Sequence, residues 1–281
     1  MKEEVGRRII SLWRFVTFDK RSLVGLAVIL SFVLLGVFAD RITSSNPGEL
    51  FKIFQTPSSL HLMGTDQFGR DVFTMSIHGI RVSLMFGFGA ATISLIVGTI
   101  LGSIAGYYGG LLDHLLSRFS EVFLMIPGLL LVILATSLFG TNINITMICV
   151  GLTIWPANAR IMRVQVLSIK SREYIKSTVL IGASDLRVIV KHILPNAIAA
   201  VIANTTTLVG TAILTEAALS FLGLGDLNNP SWGQIIHYAP MYPWAWWLSL
   251  SPGLFIIITV FAFNLLGEGL NVAISPNLRS A

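Results

Sequence analysis

Side chains able to do chemistry gather at four places in this chain of 281 residues. Asp66, Arg70 and Asp71 stand in the stretch GTDQFGRDVFT, with Gly64, Thr65 and Gly69 beside them. Glycine permits a tight turn there, and an Asp–Arg pair can lock it through charge-assisted hydrogen bonds. Contact with a docking partner, or a gate over a pore, is the alternative use of the same groups. Glu121, Glu216 and Glu268 lie in or near apolar runs. Ionisable groups at membrane depth are costly and often functional. All three fall near the ends of their runs, however, where snorkelling or capping is cheap. Asn204, Thr205, Thr206 and Thr207 form a polar patch inside an apolar run. Threonine hydroxyls can bond back to their own helix; lining a pore is the other reading. The fourth place is EYIKSTVLIGASDLRVIVKHILPN, Glu173 to Asn196, which carries Lys176, Arg187 and Lys191 between two greasy stretches.

None of these is a catalytic constellation. The chain has no GxxxxGK[ST] phosphate loop, no HExxH and no GxSxG, so hydrolysis of ATP by this chain alone is not expected. Two acids four or five residues apart do not make a metal site, and His61 and His78 lack partners at a ligating spacing. Catalytic residues, a bound metal and a nucleic-acid partner are therefore not expected. Cys149, the single cysteine, reads as a small buried filler.

The elements that must position these groups follow from composition. Hydrophobic residues make up 54% of the chain and charged ones 12%, against about a quarter charged in soluble domains; mean hydropathy is +0.78. Such a chain is an all-α, polytopic membrane protein. Spans of about 20 apolar residues are expected near 22–40, 81–107, 118–139, 143–166, 196–221 and 248–272, a six-helix fold. Gly87, Gly89, Ala90, Ala91, Gly98, Gly102 and Gly106 would let the second span pack closely on a neighbour. Pro127 and Pro156 predict kinks. Trp244, Trp246 and Trp247 read as an interfacial aromatic belt. Ser231–Pro240 reads as a short external helix on the membrane surface.

Positive charge sets the orientation. Lys2, Arg7, Arg8, Arg14, Lys20 and Arg21 precede the first span, and Arg160, Arg163, Lys170, Arg172, Lys176, Arg187 and Lys191 are assigned to the connection from fourth to fifth. The connections 140–142 and 222–247 carry no Lys or Arg. Both termini are thus expected in the cytoplasm and the loop 41–80 outside. The chain divides into a tail 1–21, a first span and loop 22–80, a membrane domain 81–272 with a cytoplasmic loop 167–195, and a tail 273–281.

Within that loop, Ile175 and Val179 stand one helical turn apart. Gly182 fits the left-handed position after a helix, Ser184 an N-cap and Asp185 a first-turn acid. Leu186, Ile189, Val190 and Ile193 recur at helical spacing, and Leu194-Pro195 is expected to stop the second helix. Two short helices joined by a tight corner result. They could lie on lipid headgroups, pack on the chain's own spans, or seat in a partner's groove.

Here the residues carry a resemblance. Gly182-Ala183-Ser184 followed by Ile193-Leu194-Pro195-Asn196 resembles the signature loop of binding-protein-dependent ABC importer permeases. GTDQFGRDVFT, EAALSFLGLG (Glu216–Gly225) and NLLGEGL (Asn264–Leu270) are similar to motifs of its dipeptide/oligopeptide/nickel branch. The resemblance implies a type I importer fold and a coupling role for Glu173, Lys176, Gly182, Ala183, Ser184, Asp185, Leu186 and Pro195. It further implies a pathway bordered by the fifth span, with Asn204, Thr207, Glu216 and Asn264 as its candidates. Its implied partners are a second similar permease, two ATP-binding subunits that carry ATP and Mg, an extracytoplasmic solute-binding protein and membrane lipid. The implied location is the inner membrane, and the implied cargo is peptides, with nickel chelates or oligosaccharides as alternatives. The sequence departs from the family at Lys176-Ser177-Thr178, where an acidic-Ala-Ala triplet is usual, and at Glu268, where Asp is commoner. A secondary transporter would show paired acids or broken helices at the midplane, and a membrane enzyme convergent catalytic groups; neither pattern is evident.

Overall fold

The computed structural model describes residues 20–226 and 230–274. The tails carrying Lys2, Arg7, Arg8, Arg14 and Arg279 lie outside the described residues. Among those described, five helices are long and apolar enough to cross a membrane, and a bent pair supplies a sixth span if counted as one. They are α1 (Lys20–Val37), α3 (Val72–Tyr108), α6 (Ile143–Lys170), α9 (Leu194–Leu219) and α11 (Trp247–Ile274); the bent pair is α4 (Gly110–Met125) with α5 (Gly128–Phe139). Short helices fill the connections: α2 (Ala39–Ile42), α7 (Glu173–Leu180), α8 (Asp185–Val188) and α10 (Trp232–His237).

The second span starts nine residues before its expected position because Asp71 caps it, its Oδ1 accepting from the Thr74 amide at 2.7 Å. The third span departs most from expectation. It runs from Gly110 rather than 118, and it turns by 87° between α4 and α5. Pro127, read as a kink, is a break. It stands just before α5 in an extended conformation (ψ 117°), and proline pushes the preceding residue out of helical geometry; Ile126 is indeed extended, with ψ 130°.

The small residues of α3 do what close packing requires. A Cβ built on Gly98 would stand 2.6 Å from the Asn158 Cβ, and one on Gly106 would stand 2.8 Å from the Arg163 carbonyl oxygen. Gly102, between them, meets the Ala159 carbonyl and the Met162 Cβ. These glycines repeat every four residues, so they share one face of the helix. That face lets α3 and α6 form the most extensive helix pair of the fold. Dispersion and backbone approach replace the hydrophobic drive that lipid cannot supply.

α1 packs on α11 and α3. Arg81 of α3 fastens its end: Nε donates to the Gly36 carbonyl at 2.5 Å, and Nη2 donates to the Val37 carbonyl at 3.0 Å and to Asp40 Oδ2 at 2.7 Å. The guanidinium satisfies carbonyls orphaned at a helix end. Its hydrogen bond also holds the Asp40 carboxyl below the usual carboxylate range.

Two expectations about residues 231–247 are corrected. Ser231–Pro240 is not a surface helix. Trp232 is fully buried, donates Nε1–H to the Ser76 carbonyl at 2.9 Å and packs edge-on against Phe32. Gly233 sits against the Ala217 backbone, so α10 plugs into the bundle. Of the three tryptophans, Trp244 and Trp246 are exposed as a belt requires, but Trp247 is buried and donates Nε1–H to the Thr65 carbonyl at 3.1 Å. Its indole pins the loop between α1 and α3, and that buried donor needs the partner it finds.

Leu194-Pro195 does not stop the helix that begins at Asp185. The chain passes through a π turn at Ile189–Ile193 and enters α9 with Pro195 in its first turn. Proline lacks a donor and its ring crowds the carbonyl four residues back. The wider turn absorbs both effects, and the first turn of a helix tolerates the missing donor.

Candidate functional site

The α6–α9 connection, residues 171–193, is built as two helices around one corner. Gly182 has φ +90°. The Ala183 amide donates to the Thr178 carbonyl at 3.3 Å, and the Gly182 amide donates to the Val179 carbonyl at 2.9 Å. That pair of bonds closes a helix whose C′ residue is left-handed, a conformation glycine adopts without strain. Ser184 occupies the N-cap position of α8, with ψ 148°, but its hydroxyl makes no capping bond. Asp185 lies in the first turn as expected, and its Oδ1 accepts from the Tyr107 hydroxyl at 2.8 Å.

The apolar stripe of this segment divides in two. Ile175, Val188 and Ile193 are buried, packed with Tyr107, Met162, Val166 and Ile169 and with Ala197 and Val201 of α9. Ala183 is partly buried on the same cluster. Leu180 and Ile181 are each 87% exposed and Leu186 is 71% exposed. These three stand at and around the corner, while Val179 and Val190 are about half exposed. Glu173 and Lys176 pair at 2.9 Å on the outer face with both side chains well exposed, an interaction of little energetic weight. Thus the segment packs on its own spans through one face and presents bare hydrocarbon through the other. Each exposed side chain would contribute about 1.5–3 kcal/mol if a partner covered it.

Behind the corner sits a brace that sequence reasoning missed. Lys170 donates its ammonium to the Tyr107 carbonyl and lies 5.1 Å from the centre of the Tyr107 ring. The ends of α3 and α6 and the start of α8 therefore meet at one tyrosine. No periodic pattern marks Tyr107, because the partners are 63 and 78 residues away. Removing only the hydroxyl, with Tyr107→Phe, should raise amide exchange across Asp185–Val188 severalfold, since a hydrogen bond to a carboxylate contributes about 1.5–3 kcal/mol. Unchanged exchange there would show that apolar packing alone holds the connection.

The loop motif Gly64–Asp71 is a closed knot. Asp66 Oδ1 accepts from the amides of Phe68 and Arg70, each at 2.8 Å, and Oδ2 accepts from Arg70 Nε at 2.7 Å. Gly64 and Gly69 have φ +69° and +84°, and a side chain on Gly64 would also run into the Trp247 indole. The Thr65 hydroxyl donates to the Lys52 carbonyl at 2.7 Å and accepts from the Gln55 amide at 2.7 Å. Asp71, besides capping α3, binds His61 Nδ1 at 2.7 Å through Oδ2. The locked turn read from the Asp–Arg spacing is present.

The four polar pathway candidates are dispersed. Asn204 donates Nδ2–H to Asn158 Oδ1 at 2.9 Å, and Asn158, fully buried, donates to Ser94 Oγ at 3.1 Å. This chain ties α9 to α6 and α3. Thr207 bonds back to the Asn204 carbonyl at 2.7 Å, as do Thr205 and Thr206 to carbonyls one turn earlier. Asn264 is exposed on α11. Glu216 lies nine residues beyond Thr207, about 13 Å along the helix axis. It is only 6% exposed; Oε1 accepts from Ser220 Oγ at 2.6 Å, while Oε2 is buried with no hydrogen-bond partner within normal distance among the described residues. Glu216 therefore does not snorkel at a span end. Helix α10 closes over it, since Gly233 touches the Ala217 backbone beside it. Arg160 and Arg163, assigned from sequence to the connection after the fourth span, lie inside α6. Arg163 forms a two-pronged pair with Asp113 of α4, at 2.5 and 2.6 Å.

Comparison with known proteins agrees with this arrangement. Residues 98–280 match the family model described as binding-protein-dependent transport system inner membrane component. The chain is 40% identical over 266 residues to the dipeptide transport system permease protein DppC of Alkalihalophilus pseudofirmus, covering 93% of this chain and 88% of that one. It is 36% identical over 288 residues to the oligopeptide transport system permease protein OppC of Bacillus subtilis, covering 99% and 93%. In fold it is similar to a chain of the inward-facing MetNI methionine ABC transporter, with TM-score 0.58, 19% identity, and coverage of 72% of this chain and 97% of that chain. A polytopic helical bundle, a braced connection between α6 and α9 and a family match over residues 98–280 converge: this chain belongs to the binding-protein-dependent transport system inner membrane components, the permease subunits of ABC importers.

Proposed function

We propose that the chain is one of two membrane subunits of an ATP-driven importer of peptides, and that its α6–α9 connection is the handle gripped by ATP-hydrolysing subunits. The observation that carries this reading is the bare apolar corner, Leu180, Ile181 and Leu186, held on a buried base of Ile175, Val188 and Ile193. A flat-lying lipid helix would spread its apolar residues along one side. Here they cluster at a projecting turn, which suits a socket. Basic residues Lys170, Arg172, Lys176, Arg187 and Lys191 around the corner favour the cytoplasmic side for it, which would leave the knotted loop 43–71 outside, where a solute-binding protein would deliver cargo. ATP and Mg belong to the partner subunits, whose closure would drive the spans between two access states. Peptide cargo is favoured over nickel chelates or oligosaccharides because the similar permeases are named for dipeptides and oligopeptides.

The test is Ile181→Asp and Leu186→Asp in the complex assembled with its companion subunits. Receptor-stimulated ATP hydrolysis should fall at least tenfold, because each exposed side chain would otherwise be buried in a partner at about 1.5–3 kcal/mol. The isolated chain should fold as before, since neither residue is buried in it. Wild-type hydrolysis and stoichiometric ATPase subunits on the variants would overturn the docking assignment.

A further inference from the structure

Glu216 sets a problem that its protein neighbours do not solve. It is 6% exposed, and its Oε2 has no hydrogen-bond partner within normal distance among the described residues. A buried polar atom left in that way is costly and calls for an explanation. Protonation of Oε2 would remove the charge, but it would leave an O–H with no acceptor in reach. The group lines a small cavity between α3, the start of α6 and the end of α9. The cavity measures about 10 Å3, room for one body the size of a water molecule.

A second acid shares that space. The π turn at Ser220–Leu224, with Gly223 at φ +84°, redirects the chain after α9 so that Asp226 lines the same cavity. Asp226 Oδ2 accepts from the Ile143 amide at 3.2 Å. No Lys, Arg or His lines the cavity among the described residues, and none of residues 140–142 or 222–247 is Lys or Arg. Thr141, Thr146 and Ser220 add three hydroxyls. The Thr146 hydroxyl donates to the Asn142 carbonyl at 3.1 Å and that of Ser220 to Glu216, so each keeps lone pairs for a further contact.

We propose that Glu216 and Asp226 bind a calcium ion in this cavity, with the hydroxyls of Thr141, Thr146 and Ser220 completing its oxygen shell. An all-oxygen set without sulfur or imidazole selects a hard cation. Two carboxylates match a divalent charge, which sodium would meet only by half. Magnesium holds on to several of its waters, and a space for one water cannot take them; calcium exchanges its waters for about six to eight oxygens in irregular geometry. The five side chains approach that number when one carboxylate is bidentate. Thr141 is exposed and Asp226 half-buried, so the ion enters from solvent at their side and reaches Glu216 at the floor. Once bound, it ties the start of α6 to the end of α9.

The experiment uses the full chain, purified in detergent and stripped with a calcium chelator. Radiolabelled calcium in equilibrium dialysis should bind with a Kd of about 0.1–1 mM, the range of extracellular calcium modules. At calcium about tenfold above that Kd the thermal midpoint should rise by several degrees. Glu216→Gln and Asp226→Asn should each weaken binding about tenfold or more, since affinity follows the charge of the ligands, and should lose the calcium-dependent rise. Glu49→Gln, at an exposed acid of the loop between α1 and α3, should change neither. Asp226 is half-buried, so its variant decides the matter by dialysis even if the buried Glu216→Gln does not fold. No calcium binding by the wild type, with Glu216→Gln equally or more stable, would make Glu216 a neutral buried acid and overturn the proposal. Undiminished binding by the variants would place the ion elsewhere and overturn it too. An equal rise with magnesium, or with sodium against choline at the same ionic strength, would overturn the assignment to calcium.

Discussion

Gly102→Leu is expected to abolish folded protein. The glycine faces the Ala159 carbonyl and the Met162 Cβ, with Gly98 and Gly106 one turn to either side in the same seam against α6. Any side chain there must push two helix backbones apart along the largest interface of the fold. Overpacking in a core typically costs 1–3 kcal/mol and occasionally more. Here it comes without the option of side-chain relaxation, because the obstacle is main chain. Separation of the two helices would also strain the Ser94–Asn158–Asn204 chain, exposing paired polar groups to hydrocarbon. The measurement is the fraction of detergent-solubilised protein that is monodisperse, with its thermal midpoint. Gly102→Ala should be clearly destabilised and Gly102→Leu absent from the folded fraction. Gly253→Ala is the control, since a Cβ there meets nothing within 4 Å and should leave the midpoint unmoved. A normal midpoint for Gly102→Leu would mean that α3 and α6 are not packed as described.

Asp66→Ala should melt the loop between α1 and α3 while leaving the spans intact. Its carboxylate takes three hydrogen bonds, all at 2.7–2.8 Å, and is only 3% exposed. Hydrogen bonds to a charged group contribute about 1.5–3 kcal/mol each, and removing one partner of a buried pair costs about 3–5 kcal/mol. That exceeds what a turn of this length can lose and stay closed. Once it opens, the Thr65 carbonyl withdraws from Trp247 and the β-bridge between Thr65 and Asp71 parts. Limited proteolysis between residues 50 and 70 should accelerate by two orders of magnitude or more, with the cleaved spans remaining associated. Asp66→Asn, which keeps one acceptor oxygen in place, should fall between. Resistance of the alanine variant equal to that of the wild type would show that packing of Phe54 on Tyr242 and Trp244, rather than the carboxylate, closes the loop.

Much of this protein is legible in the order of its residues. Hydrocarbon length determines the spans, because a helix must match the bilayer whatever it packs against. Local backbone chemistry determines the corner at Gly182 and the turn at Gly64–Arg70, since both depend on φ values and bonds among residues a few positions apart. What only tertiary structure decided are the pairings across long separations. The 87° break of α4 on α5, the burial of Trp232 and Trp247, the bracing of Asp185 by Tyr107 and the enclosure of Glu216 have no periodic signature. Helical spacing groups Leu186, Ile189, Val190 and Ile193 in one stripe, yet Ile193 is buried while Leu186 is bare. Periodicity reports which residues share a side of a helix. Which side meets protein, and which waits for a partner, is set by neighbouring helices that approach only once the chain has folded.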